Sequence, residues 1–334
     1  ELAVNIRSLA ERRAAWAERE AQDKARQLEA RQRAMTAPRA VTLDWRQGTI
    51  GAVLAVLVGW GLLVSQFDFG LKALSYDLPF ALRGDVVTDA ALIVYMDEQS
   101  HEKLKQPWQG PWDRTWHARL LNQLQARGAK VVVFDVLFAD PWDDPRVDEQ
   151  LAAAIQEFGK VVVGATVETS QPQGAPISRL RLPAVTIASA AQWGIVELPM
   201  EQDRTIRRHY FPPQKLVDVE TLSLGKDRTV QRKYPEADSP PTLAWKAAEL
   251  LGQAPGRRTE TRWINFYGPR GAVPQVSYYQ IFETNALRED FCSNKVVFVG
   301  RGPAITYEGS VSSDEYRTPY TRWTGYLSPG VELQ

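Results

Sequence analysis

Beyond residue 90 the chain alternates short unbroken apolar runs with longer stretches whose apolar positions recur every three or four residues. The runs at 91–96 (ALIVYM), 130–134 (KVVVF), 161–167 and 295–299 predict strands buried on both faces. Between them, 113–127 sets Trp116, Leu120, Leu121 and Leu124 on one helical face with Gly128 as its stop, and 148–158 predicts a second helix closed by Gly159. Strands of continuous apolar character separated by helices pair in parallel and carry helices on their faces. The expected class is therefore α/β, an open and mostly parallel sheet with helices on both faces. The stretch 170–183, rich in Gln, Pro and Ser, reads as a surface loop. Short strands at 193–198 and 206–211 around a turn at Asp203-Arg204 predict an antiparallel addition. A helix at 241–251 with Pro241 in its first turn, a strand at 262–267 and a helix at 277–285 complete the pattern.

Ahead of this domain, 50–64 reads IGAVLAVLVGWGLLV without a charge, and Ser65, Gln66 and Phe67 extend it to Asp68. About eighteen residues make a helix of roughly 27 Å, close to the thickness of a hydrocarbon core. No polar stripe interrupts it, as one would in a buried core helix, and nearly fifty residues precede it, too many for the basic leader of a cleaved signal. The leader carries ten Lys/Arg against seven Asp/Glu, so the positive-inside rule puts the N-terminus in the cytoplasm and everything after residue 68 outside. From 1 to 35 the leader is rich in Ala, Arg, Glu and Gln, lacks Gly and Pro, and offers the pairs Glu20 with Lys24 and Glu29 with Arg33. It predicts a helix ended by Thr36-Ala37-Pro38. Its apolar positions are mostly alanine, which suits a solvated helix as well as one that pairs with a twin. The expected organisation is a cytoplasmic helical leader at 1–47, a signal-anchor helix at 48–68 and an extracytoplasmic domain at 69–334, in a bacterial inner membrane.

Charge and composition narrow the partners. Forty basic and forty acidic residues cancel, leaving no global field to recruit nucleic acid. The single cysteine, Cys292, excludes an intrachain disulfide, and His101, His117 and His209 lack the spacing of a zinc site. No nucleophile elbow, P-loop, HExxH, cyclase or kinase motif occurs, so no catalytic residue and no cofactor is assigned.

An ordered set of segments carries a family resemblance: ALIVYMDEQS (91–100), PWDRTWHARLLNQLQARGAKVVVFDVLF (111–138), DRTIRR (203–208), WINFYGPRG (263–271), SYYQIF (277–282), KVVFVG (295–300), DEYRTPY and SPGVEL. Together they resemble the second CHASE family, the cyclase- and histidine-kinase-associated sensory extracellular domains. The resemblance implies a sensor outside the membrane after one N-terminal helix. It also implies about three further membrane helices and a cyclase, histidine kinase or serine/threonine kinase output, expected after Gln334. Outputs of this kind generally work as dimers, so a homodimer or partners within the membrane are expected.

Ligands of doubly wound sheets gather beyond the carboxyl ends of the strands. Asp97 and Asp135 each end a predicted strand, with Asp140, Asp143 and Asp144 on the loop after the second. Carboxylates meeting there could hold a hard cation or the amine of a small ligand, or simply cap loop amides and helix starts. Trp108, Trp112, Arg114 and Trp116 follow the first strand and Trp142 the second, a set that can line a pocket or pack a helix start. Asp97, Trp112, Arg114 and Asp135 are the candidate ligand-binding residues, for an unidentified extracytoplasmic ligand; no metal site is assigned. Gly300-Arg301-Gly302 after a strand lacks the third glycine and the helix of a dinucleotide loop. The expected function is a sensor that relays binding across the membrane. An assembly subunit using 198–213 and 306–326 as contact surface, and a hydrolase using Asp97 and Asp135 with a metal, are the alternatives.

Overall fold

A computed structural model of the chain describes residues 2–36, 45–64, 67–107, 110–170, 177–209, 219–225, 228–233, 240–254, 256, 261–283, 286–303 and 314–334. It divides into two units, Glu1–Leu71 and Lys72–Gln334.

The first unit holds α1 (Leu2–Thr36), α2 (Trp45–Val64) and the start of α3 (Phe67–Leu82). α1 forms where the leader composition predicts it. Its side chains over 12–32 are exposed, and the pair Lys24–Glu20 closes at 2.9 Å. α2 coincides with the apolar run, and its large apolar side chains from Ile50 to Trp60 are exposed. Among the described residues no helix is long and apolar enough to cross a membrane.

The second unit is built on a nine-stranded sheet. Its central strands are β1 (Ala91–Met96), β2 (Val131–Leu137) and β3 (Val161–Ser170), joined through α4 (Glu98–Lys103), α5 (Arg114–Ala126) and α6 (Pro145–Phe158). β4 (Ile177–Arg181), α7 (Val185–Ala188), β5 (Gln192–Ile195), β6 (Val219–Gly225), β7 (Arg228–Lys233), α8 (Leu243–Leu250), β8 (Gln275–Ser277) and β9 (Val296–Arg301) follow. The spatial order is β7-β6-β4-β3-β2-β9-β1-β8, with β5 also on β3. β1, β2, β3, β5, β8 and β9 pair only in parallel among themselves. β9 lies between β1 and β2, with Leu92 opposite Val297 and Val132 opposite the same residue.

Period-two alternation distributes these strands between two layers. Val132 and Phe134 join Leu120, Leu121, Leu151 and Ile155 beneath α5 and α6, whereas Val131 and Val133 meet Leu243 and Ala247 of α8 on the opposite face. Helices therefore cover both faces, as the apolar runs predict. Gly194 lets β5 approach α8: a Cβ there would lie 2.6 Å from the carbonyl oxygen of Thr242.

The structure corrects several of these expectations. The predicted loop 170–183 contains β4, antiparallel to β3. The antiparallel addition is made by β3 with β4 and by β6 with β7, while 193–198 contributes β5 in parallel; around Asp203-Arg204 a lone antiparallel bridge joins Met200 and Ile206, and the predicted strand residues 210–211 lie outside the described residues. The stretch 262–267 does not join the sheet; Trp263 forms an antiparallel bridge with Arg208, His209 N–H donating to the Arg262 carbonyl at 2.8 Å and Ile264 N–H to the Arg207 carbonyl at 2.9 Å, and α3 contacts the same stretch. Tyr76 donates to the Ile264 carbonyl, and Arg83 reaches Asn265 Oδ1 at 2.6 Å and the Phe266 carbonyl at 2.5 Å. Finally, 277–285 forms a short 3-10 helix, Tyr278–Phe282, with Ser277 N–H donating to Gln280 Oε1 at 2.9 Å; residues 284 and 285 lie outside the described set. The helix foreseen at 241–251 starts at Leu243, capped by Thr242, so Pro241 precedes it.

The C-terminal stretch adds a small pair, β10 (Glu315–Tyr316) antiparallel to β11 (Ser328–Pro329), with α9 (Thr321–Thr324) between them. A final 3-10 turn, Gly330–Leu333, places Val331 against Ile93 and Tyr95.

Candidate functional site

A cavity of about 470 Å³ opens beyond the carboxyl ends of β1, β9 and β2, where the order of the chain reverses across the sheet. Its walls include Met96, His101, Trp112, Arg114, His117, Asp135, Phe138 and Arg301. The site follows from topology. β1 leads out to α4 and α5 on one side, and the insertion of β9 between β1 and β2 brings Arg301 to the same rim.

The floor is aromatic. Trp112 is buried, with its ring centroid 4.8 Å from that of His101 and 5.1 Å from that of Tyr278, both edge-on. His117, fully buried, stacks at 6.4 Å from Trp112 and lies 3.0 Å, at Nδ1, from the Tyr278 hydroxyl. Burial, reinforced by the Arg114 charge, pushes its imidazole down to about 3, and burial also lowers His101. Both rings are neutral near pH 7.

Arg114 opens α5 behind the N-cap Asp113, whose carboxylate accepts from Thr115 N–H at 2.9 Å. Its guanidinium is buried and pairs with buried Asp148 at 2.5 Å, donates to the Asp140 carbonyl at 2.5 Å, and lies 5.4 Å from the ring centroids of Phe138 and Trp142. Its charge is already balanced inside the fold.

Asp135 sits at a bulge. β2 matches Phe134 with Val163 but Leu137 with Gly164, so Asp135 and Val136 are the extra residues. Gly164 permits this, since a Cβ there would stand 2.8 Å from the Val136 carbonyl oxygen. Gly300 likewise makes room for Asp135, whose Cβ would be 3.1 Å from a side chain at that position. Burial, with Asp314 and Glu197 nearby, lifts the Asp135 carboxyl to about 8; burial raises Asp314 to about 6 against the pull of Arg301. Among the described residues no hydrogen bond or ion pair engages the Asp135 carboxyl or the Arg301 guanidinium.

Asp97 has another role. It caps α4, accepting from Ser100 N–H at 2.9 Å and Ser100 Oγ at 2.5 Å, and it also accepts from Ser277 Oγ at the end of β8. It is not a lining residue of the cavity. Asp140 pairs with Arg181 at 2.6 Å and Asp144 caps α6; among the described residues no group of three or more His, Cys, Asp or Glu could hold a metal ion. Trp108 lies outside the described residues.

Residues 51–334 match the family described as CHASE2 domain, which covers the α/β unit and its cavity together. The chain belongs to the CHASE2 family. CHASE2 domains are extracellular sensory domains of signal-transduction receptors. No curated protein and no solved structure matches this chain.

In this CHASE2 domain the strand-end rule brings Trp112, Arg114 and Asp135 to one cavity and leaves Asp97 as a cap. It overlooks His101, His117 and Arg301. The histidines are spaced without a ligand pattern, yet the fold sets both beside Trp112. The only local signal for Arg301 was Gly300-Arg301-Gly302. Those glycines serve close approach: side chains there would meet Asp135 and Val331, or Tyr95 and Asp97.

Proposed function

We propose that this CHASE2 domain is the sensory part of a membrane-anchored bacterial receptor, that a small molecule enters the cavity at the strand ends, and that its occupancy is relayed to α3. The cavity beyond β1, β9 and β2, in a domain of a sensory family, carries this reading. α2, uncharged and apolar from Ile50 to Val64, is the anchor, with the basic leader cytoplasmic and 69–334 outside. A cyclase or kinase output and dimerisation belong to the same proposal.

A continuous set of contacts supports the relay. Asp314 lies close enough to Asp135 to raise its affinity for a proton. From Asp314 the chain pairs as β10 with β11, then Arg317 accepts from Ile206 N–H at 2.8 Å, and Tyr320 packs edge-on against Phe80 of α3 at 5.6 Å. α3 in turn is held by Phe266 and by Arg207. A ligand that favours one placement of this segment biases α3 by its differential affinity.

Thermal-shift screening of a small-metabolite library against the wild-type chain and Leu137→Trp, which adds bulk at a residue lining the cavity, tests the binding site. The expected result is at least one compound that stabilises the wild type and not the variant. Compounds that stabilise both equally, or none that stabilises either, contradict it.

A further inference from the structure

The groups lining the cavity define the charge of what it accepts. Arg114 is neutralised by Asp148, and both histidines are uncharged near pH 7. Asp135 keeps its proton there, because burial and the carboxylates of Asp314 and Glu197 oppose its ionisation. Arg301, exposed on the rim, is the lining cation that no hydrogen bond or ion pair engages among the described residues. Asp314 feels its charge without forming an ion pair with it. The apolar walls are flat rings, Trp112, Phe138 and the two imidazoles, with Met96 beside them.

We propose, building on the sensory reading above, that the ligand is a small aromatic monocarboxylate, its carboxylate on Arg301 and its ring against Trp112 and Phe138. A guanidinium presents a planar fork that matches one carboxylate. A phosphate dianion calls for more than one cation or a nest of exposed amides, and Gly300-Arg301-Gly302 spends its glycines on packing against Asp135 and Asp97 instead. A cation is opposed by Arg301 and finds Asp135 protonated. A cavity of about 470 Å³ suits a ligand of one or two rings.

The test uses the full chain in nanodiscs and ligand-observed NMR, with three matched probe sets: benzoate, phenylacetate and indole-3-acetate; their amides; and benzylamine with phenethylamine. The expected result is that at least one carboxylate binds roughly ten- to a hundredfold more tightly than its amide, the range set by hydrogen bonds to charged groups. Arg301→Gln, an exposed site that leaves the core intact, removes that preference, and Leu137→Trp removes binding altogether. A second readout separates the ligand role from a structural one. The groups around Asp135 are Asp314, Glu197, Tyr316 and Arg301, with His101, His117 and Arg114 across the cavity. As pH rises through about 8 Asp135 ionises, so carboxylate affinity falls in the wild type and stays level in Asp135→Asn. Amides or amines that bind as well as the acids, while Leu137→Trp still blocks them, overturn the carboxylate proposal and leave the cavity as a sensory site of another class. Absence of binding by every probe also overturns it, and together with a blank library screen removes the sensory reading as well.

Discussion

Arg207 grips Asp77 of α3 through two hydrogen bonds of 2.7 Å, from Nε and one terminal nitrogen to the two carboxylate oxygens. The same guanidinium, almost fully buried, reaches Glu201 at 2.8 Å and Asp203 at 2.7 Å. Three carboxylates around one buried cation hold the helix that follows α2 in the chain onto the turn 201–207. Burial disfavours the charged guanidinium, but the bonds to Asp77 and Asp203 outweigh it and keep its proton bound more tightly than usual.

Arg207→Met therefore leaves Asp77 buried without its cation, while Glu201 keeps Arg208 at 2.6 Å. The expected loss is about 3–5 kcal/mol, measured by denaturant unfolding of the full chain. Lys24→Ala, which breaks the exposed pair with Glu20, changes stability by no more than about 0.5 kcal/mol.

Asp135→Asn stabilises the ligand-free domain. The folded carboxyl titrates near 8 against 3.8 ordinarily, so the unfolded chain gains by releasing a proton wherever the folded one retains it. The destabilisation begins near pH 4, grows with rising pH and is full above about 8. The melting temperature of Asp135→Asn should exceed that of the wild type by more at pH 8 than at pH 5.

His117 acts with the opposite sign. Its folded imidazole titrates near 3 against 6.5 ordinarily, so its contribution is complete above 6.5 and falls as pH drops, by up to about 1.4 kcal/mol per unit. Between about pH 4 and 6.5 it offsets Asp135. Asp135→Asn should therefore lose stability on acidification across this window more steeply than the wild type, and adding His117→Gln should flatten that slope; unfolding curves at several pH values measure both.

Gly194→Ala forces a methyl to within 2.6 Å of the Thr242 carbonyl and 2.7 Å of Leu243 backbone atoms. Neither neighbour is a flexible side-chain end, so β5 and α8 must separate. A loss of about 1–3 kcal/mol is expected in thermal unfolding.

Deleting 48–68 should release the chain from the membrane fraction, whereas the intact chain should resist alkaline carbonate extraction. Release of the intact chain by carbonate contradicts the anchor assignment.

The central strands and their helices were legible because their signals are local: Val131–Val133 in a row, or Leu120, Leu121 and Leu124 on one face. β4, written ISRLR, and β7, written RTVQRK, carry too many charges to read as strands by themselves and are held by their pairing, β4 with β3 and β6, β7 with β6. The same limit applied at the site. Strand-end position pointed to Asp135, but it pointed equally to Asp97, which the start of α4 and Ser277 consume. Arg301 was hidden because its place depends on β9 entering between β1 and β2, a matter of sheet order that no local pattern expresses.

What fills the cavity should be felt by α3. Hydrogen exchange over residues 72–82 of the full chain, compared between wild type and Leu137→Trp, tests this, because residue 137 lines the cavity and lies outside α3. Altered exchange at 72–82, with exchange in β6 and β7 unchanged, is the predicted result; identical exchange at 72–82 in the two proteins would contradict the account.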